Sequence, residues 1–509
     1  MTTLYNKVDY LQKINSRGQA RGGRGRPGGA RGQNMQGRGA DEEEEEESIF
    51  RKILDNSLRM MMSVRNVSIN YNESNGMVLP GFEPEPTILG HNFNLNAPGL
   101  GFVFGEQSDI QRRAIENNWL TTSDRLNAAY MKKHTQTLNA RATIEPFRNF
   151  NIQVTASRNA SESFQSYFRA DSLGNFQNYS PTERGDFSIS YLTWNTAFIT
   201  DHPSTYSNEN FENFQSYLMT IANRLSGNNP HSDFNTRDSL GFPDGYSMTQ
   251  QDVMVPAFLA AYTGRDPENQ SLSYFPSIPM PNWRITFTGL TQIDFIGKYF
   301  RNIAINHSYN STYTINSFES NMHYREGDDG FQYVRNQTNV FFPKHDINQI
   351  MINEQFSPLI SLNMTMHNSL MARVEIRKSR NLALSFANNQ VTEVSSNEYV
   401  FGTGYRIKDL EFVVTSGGQA RRLSSDLNIK VDVSIRDNKT ILRKMVEDAN
   451  QISAGQKVVS INTSADYMIS QSINLRVFYD QVINNPYVST QFPNSNINAG
   501  LGLSFMLAQ

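Results

Sequence analysis

The chain has 509 residues, and 46 Lys and Arg against 49 Asp and Glu give a formal net charge of -3, too small to argue for nucleic acid or anionic lipid as a partner. At 38% hydrophobic residues it is short of core material for an ordinary globular protein, where about 45–50% is usual on a slightly broader count that includes glycine. The absence of cysteine excludes disulfides, thiolate nucleophiles and zinc–thiolate sites.

No apolar run approaches the roughly 18 residues of a transmembrane helix. The densest patch, Ala257 to Tyr262, is far too short, so any membrane span has to be a strand. Met1 to Asn15 lacks a basic segment followed by an apolar one, so no secretory signal is read there. An outer-membrane barrel has to be exported, so a chain read as one is expected either to be the carboxy-terminal part of a longer exported polypeptide or not to be a barrel. Arg17 to Gly39 is built of Arg, Gly, Gln and Pro, and six glutamates follow from Glu42 to Glu47. Arg21-Gly22-Gly23-Arg24-Gly25-Arg26 has the look of an RNA-binding RGG segment, but no aromatic residue stands between Gln12 and Glu47 to stack on bases. The tract reads as a solvated loop with blocks of opposite charge.

Ser48 to Met62 has helical spacing, with Ser48 as N-cap. Ser63 to Tyr71 alternates as a strand, and Asn75-Gly76 reads as a turn. Met77 to Asp109 is too rich in Gly and Pro to be regular. Thr137–Glu145 and Phe150–Ser157 read as a hairpin around Pro146, and Phe187–Phe198 as a long strand. Asp201 to Pro281 differs in character. It carries an amphipathic helix over Asn210–Leu225, with Phe211, Phe214, Leu218, Ile221 and Leu225 on one face, and a weaker one over Thr249–Tyr262 interrupted by Pro256. Such an insertion is expected to be a large loop or a plug. Strands resume at Arg284 and over Asn302–Tyr313, and Asp328-Asp329-Gly330 reads as a hairpin turn.

The last hundred residues alternate most clearly. From Leu423 to Arg436 the odd positions include Leu427, Ile429, Val431 and Val433, while the even ones include Asp426, Lys430, Asp432 and Arg436. Ile473, Leu475, Val477 and Tyr479 oppose Asn474, Arg476, Phe478 and Asp480, and Leu501, Leu503, Phe505 and Leu507 oppose Gly500, Gly502, Ser504 and Met506. Successive side chains of a strand point to opposite faces, so one face meets an apolar medium and the other water. A tilted strand crosses a bilayer in roughly 9–11 residues, which suits this pattern better than a soluble sandwich does. The expected fold is therefore all-β, an antiparallel transmembrane barrel segment with a few helical insertions. Its lipid-facing and terminal-strand residues are Leu427, Ile429, Val431, Val433, Leu475, Val477, Leu501, Leu503 and Phe505. The expected parts are an amino-terminal segment over 1–62, barrel strands and loops over 63–200, a helical insertion over 201–281 and carboxy-terminal strands over 282–509. With the chain's end on the periplasmic side, Asn389–Asn397, Ser416–Arg422 and Ser470-Gln471 are expected as inner turns. Asp437–Gln456, Val482–Asn496, Ser379-Arg380 and Lys408-Asp409 are expected as outer loops.

The eight histidines form no HxxxH pair, no P-loop occurs, and Gly99-Leu100-Gly101 with Gly105 has the wrong spacing for a dinucleotide loop. The residues therefore point to no catalytic site, metal or cofactor, and the chain is not expected to be an enzyme.

Longer strings carry a resemblance. Leu4-Tyr5-Asn6-Lys7-Val8, Leu79-Pro80-Gly81-Phe82, Asn96-Ala97-Pro98-Gly99-Leu100-Gly101-Phe102, Pro281-Asn282-Trp283-Arg284-Ile285, Asn306 to Tyr313 and Asn485-Pro486-Tyr487-Val488 resemble the SprA/Sov family, the outer-membrane translocon of the type IX secretion system of Bacteroidetes. The resemblance implies part of a very large barrel in the outer membrane of a Gram-negative bacterium, passing folded cargo proteins to the cell surface and in some relatives supporting gliding motility. It implies as partners cargo with carboxy-terminal secretion signals, a PorV-type shuttle barrel, a plug protein, outer-membrane lipid and, if the translocon is split, its upstream part; no nucleic acid is expected as a partner. Family members are several times longer. A smaller porin or transporter barrel is the alternative, and a soluble RGG-type nucleic-acid binder a third reading.

Overall fold

The structure is a computed structural model that describes residues 62–123, 125–171, 175–416, 419–470, 473–489 and 491–505. The Arg/Gly tract, the glutamate run, the helix expected over Ser48–Met62 apart from Met62 itself, and Met506 and Leu507 lie outside the described residues. Antiparallel sheet dominates, with 55% strand and 13% helix.

Among the described residues fourteen strands form one sheet. They are β1 (Val64–Val78), β2 (Tyr130–Ile144), β3 (Phe150–Ala170), β4 (Phe176–Ser190), β5 (Asn282–Phe287), β6 (Phe300–Ser320) and β7 (His345–Ile347), followed by β8 (Gln349–Met366), β9 (Leu370–Ser385), β10 (Gln390–Ser416), β11 (Gln419–Lys444), β12 (Ala449–Ser470), β13 (Ile473–Pro486) and β14 (Asn494–Phe505). Among the described residues five α-helices lie between them: α1 (Leu100–Val103), α2 (Ile110–Glu116), α3 (Glu209–Asn228), α4 (Gln251–Thr263) and α5 (Asp294–Gly297). Among the described residues no helix is long and apolar enough to cross a membrane. The main path runs β1-β2-β3-β4-β6-β8-β9-β10-β11-β12-β13-β14, leaving β1 and β14 as its two ends.

Strands β4 and β5 share one place in this path. Strand β4 pairs with β3 and with β6 from Glu319 to Thr312, and β5 takes up the same two neighbours lower down, from Tyr309 to Ile305 on β6. One strand position is thus interrupted midway, and residues 191–281 leave the sheet there and return. Met280 N–H donates to the Ser190 carbonyl at 2.9 Å and the Ser190 hydroxyl to the Met280 carbonyl at 2.7 Å, tying exit to return. The strand expected over Phe187–Phe198 accordingly stops at Ser190, and a short 3-10 turn follows at Trp194–Thr196.

Other expectations shift where polar residues stay inside paired strands. Asn75 and Gly76 face His134 and Lys133 within β1 and β2 rather than making a turn. Ser379, Arg380, Lys408 and Asp409 lie within β9 and β10, the last two at a bulge. Asn389–Asn397 is mostly strand β10, and the turn before it stands at the opposite end of the sheet from Ser416 and Ser470, where β10 and β12 end. Strands β11 and β12 extend far into Asp437–Gln456, leaving a turn from Met445 to Asp448, and Val482–Asn496 shortens to a turn after Pro486. Each strand continues past its apolar stretch because its backbone groups still pair with both neighbours.

The helix expected over Asn210–Leu225 is α3, capped by the Asn208 side chain accepting from Asn210 N–H at 2.9 Å. Phe211, Phe214, Leu218 and Ile221 are buried, and Leu225 is half-buried against the same core. Helix α4 continues through Pro256, its sixth residue, and it stops at Gly264, whose φ of 68° is left-handed. It is buried from Val253 to Thr263.

Candidate functional site

Cross-strand register makes the two faces of the sheet explicit, since directly paired residues point the same way. One row reads Phe150, Phe287, Ile305, Leu362, Val374, Phe401, Val433, Ile461, Gln481 and Ile497, crossing from β3 to β14 with one polar member. The row above it reads Ile360, Ile376, Tyr399, Ile435, Val459 and Ile483. Below it lie Ala372, Thr403, Val431, Thr463 and Tyr479, then Leu370, Tyr405, Ile429, Ala465, Val477 and Leu501, then Leu427, Tyr467, Leu475 and Leu503. Every expected lipid-facing residue lies on this one face, with Phe505 opposite Ile473 at its lower edge.

Much of this face is bare. Phe401 is 49% exposed, Val477 45% and Leu501 76%. A continuous apolar surface of this extent marks a membrane or protein contact, since soluble monomers rarely leave one open. The stretch from Leu427 to Ile435 matches the roughly 9–11 residues that a tilted strand needs to cross hydrocarbon. Above it the face changes character in a single step, to a row of Phe356, Lys378, Asn397, Asp437, Lys457 and Asn485.

The opposite face is polar. Glu375 sits between Arg373 and Arg377, and Arg377 also bonds Glu398 at 3.0 Å. Asp432, Asn462, Asp480 and Asn498 form one row across it, with Gly402 and Arg373 on the near side. Gly402 gives room there, because a Cβ would stand 2.4 Å from Asp432 Oδ1.

The insertion expected as a loop or plug covers the apolar face rather than the polar one. Helices α3 and α4 pack on Ile189, Tyr313, Ile315, Ile350, Ile352, Leu382, Leu384 and Val391, which continue the apolar-face positions toward the upper strand ends. Along β10 the same side chains pass from buried (Val391, Glu393) through half-buried (Ser395, Asn397) to exposed (Tyr399, Phe401, Tyr405). A second small cluster, with Ile110, Ala114, Trp119 and Leu120, covers Tyr130 and Phe168 on β2 and β3.

Two buried arginines hold the helical cover to the sheet. Arg443 of β11 pairs with Asp201 at 2.5 Å and Glu393 at 2.8 Å, and donates to the Tyr206 carbonyl at 2.6 Å. Arg380 of β9 pairs with Glu354 at 2.9 Å and donates to the Thr196 carbonyl at 2.9 Å, while the Thr193 hydroxyl donates to Glu354 at 2.5 Å. Within the cover, burial pushes the Asp252 carboxyl above the usual carboxylate range, although the Tyr274 hydroxyl donates to it. Arg335 does the reverse to Asp244: its hydrogen bonds, two of them at 2.7 Å, hold that carboxyl below its usual range.

The lower rim of the cover is aromatic. Trp194 lies 5.2 Å from Trp283, 5.6 Å from Tyr309, 5.4 Å from Phe356 and 5.7 Å from His307 between ring centroids. Lys378 Nζ stands 5.0 Å from the ring of Phe198. Reading the sequence missed the contribution of β10 to the band, although Tyr399, Phe401, Thr403 and Tyr405 alternate with Glu398, Val400, Gly402 and Gly404. The clusters around Arg380 and Arg443 carried no local signal, because their partners stand far away in the chain. No protein-family model and no curated protein matches this chain.

Proposed function

We propose that the chain forms part of the wall of a transmembrane β-barrel in the outer membrane of a Gram-negative bacterium, with the apolar band toward lipid and the Arg373–Asp432 face toward a water-filled passage. The observation that carries this reading is the bare apolar band, crossing the sheet from β3 to β14 and bounded above by the row from Lys378 to Asn485. Lipid stabilises such a face, whereas water does not.

The passage is that of a type IX secretion translocon of the SprA/Sov kind, and what passes is folded protein bearing a carboxy-terminal secretion signal. Support comes from the strings that resemble the family, two of which meet at the interrupted strand: the Asn282 side chain donates to Asn310 at 2.6 Å and accepts from Ser311 N–H at 2.8 Å, and Trp283 stacks on Tyr309. The partners are a PorV-type shuttle barrel and a plug protein and, if the translocon is split, its upstream part pairing with an end of the sheet. The function is transport by a polar passage, without catalysis.

The strands that end the path, β1 and β14, also allow a smaller porin or transporter barrel, closed by pairing those two strands. Planar-bilayer recording of the purified chain separates the two. Steady small-solute conductance from the chain alone would favour the smaller barrel. Its absence, together with loss of cargo export from cells when Val433 but not Ser434 is replaced by Arg, is the result expected of a translocon wall.

A further inference from the structure

The insertion at 191–281 leaves the sheet on the band side and lies directly above the band. Its lower rim joins the aromatic group of Trp194, Trp283, Tyr309 and His307 to the polar row that begins at Lys378. Rings with one polar edge favour the boundary between hydrocarbon and headgroups, and lysines there reach phosphate while their stems stay on apolar surface. The border follows one cross-strand register from β8 to β13, reaching well past the strands that carry the insertion.

We propose that the helical insertion is a collar outside the wall, resting on the bilayer, with Trp194, Phe198 and Trp283 seated among phosphate-bearing lipid headgroups and Lys378 and Lys457 facing the phosphates. This rests on the membrane reading of the band and goes further, because it places α3 and α4 outside the passage, in water just beyond one leaflet. Continuity with the band and the step from apolar to lysine-bearing positions favour lipid over a protein partner as the occupant. A protein docking there would need no change of character along a whole register row.

The chain has no cysteine, so a single introduced thiol reports from one place. Phe198→Cys on the rim (Phe198 is 45% exposed), Phe401→Cys in the band and Glu212→Cys on the outer side of α3 would each carry a small fluorophore. Each labelled full-length chain is folded into phosphatidylcholine and phosphatidylglycerol vesicles holding a quencher at the headgroup or near the chain ends. The expected result is that Phe401→Cys is quenched at least twofold more by chain-end quencher, Phe198→Cys at least twofold more by headgroup quencher, and Glu212→Cys by neither. Deep quenching at position 401 with none at 198, or with chain-end quenching there, would overturn the collar and leave the barrel reading standing. No quenching at 401 would overturn both. The native tryptophans give a second readout from the unsubstituted chain, since headgroup quencher should dim Trp194 and Trp283.

Discussion

Val433 stands in the band one row below its upper row, between Phe401 on β10 and Ile461 on β12, while its neighbour Ser434 points the other way and pairs with Val400 and Ser460. Replacing Val433 by Arg would put a guanidinium inside the hydrocarbon, at a cost of up to the about 2–4 kcal/mol of the bilayer midplane. That is roughly a 30- to 900-fold fall in the ratio of folded to unfolded chain, at about 1.36 kcal/mol per tenfold. Ile435→Arg lies one row higher, next to Asn397 and Asp437, where the cost falls to about 0–1 kcal/mol. Ser434→Arg faces water and should stay within about 0.5 kcal/mol. In a soluble sheet the surroundings of Val433 would be equally wet, since Phe401 is already half-exposed, and Val433→Arg would then also stay within about 0.5 kcal/mol. Urea titration of folding into lipid vesicles, read by tryptophan fluorescence and gel mobility, measures all three. Equal costs at 433 and 434, or no decline from 433 to 435, would refute the assignment of this face to lipid.

Arg443→Ala should leave Glu393 buried without its partner and cost about 3–5 kcal/mol; protease cutting within 199–208 should rise, and unchanged cutting would refute the clamp. Phe214→Ala at the contact with Phe258 should cost about 3–5 kcal/mol and loosen α3 without altering vesicle insertion, which limited proteolysis and flotation would check. The raised carboxyl of Asp252 ionises in the unfolded chain before it does in the folded one, so its contribution to stability falls as pH rises from its ordinary value toward the folded one. Asp252→Asn should flatten that fall, and an unchanged pH profile would contradict it. Asp244 acts in the opposite sense: its folded carboxyl is lowered, so its stabilisation is present above the ordinary carboxylate value and lost as pH drops through the folded one. Asp244→Asn should remove that acid-side loss in a pH-dependent melting series.

The alternation of Leu427, Ile429, Val431 and Val433 with Lys430 and Asp432 was enough to give strands with two unlike faces, because a period of two follows from strand geometry alone. The spacing of Phe211, Phe214, Leu218 and Ile221 likewise gave α3, since its apolar stripe has the helical period. Tertiary structure decided what those local periods leave open. Asn75-Gly76 and Lys408-Asp409 look like turns by residue type, yet they lie inside strands because neighbouring strands supply partners for their backbone groups. A pattern along one strand also cannot say which element covers it. Leu382 and Val374 stand on the same side of β9, and only the return of residues 191–281 to the sheet buries the first under helices and leaves the second bare. Arg443 meets Asp201 across a large separation in sequence, so no local window holds both.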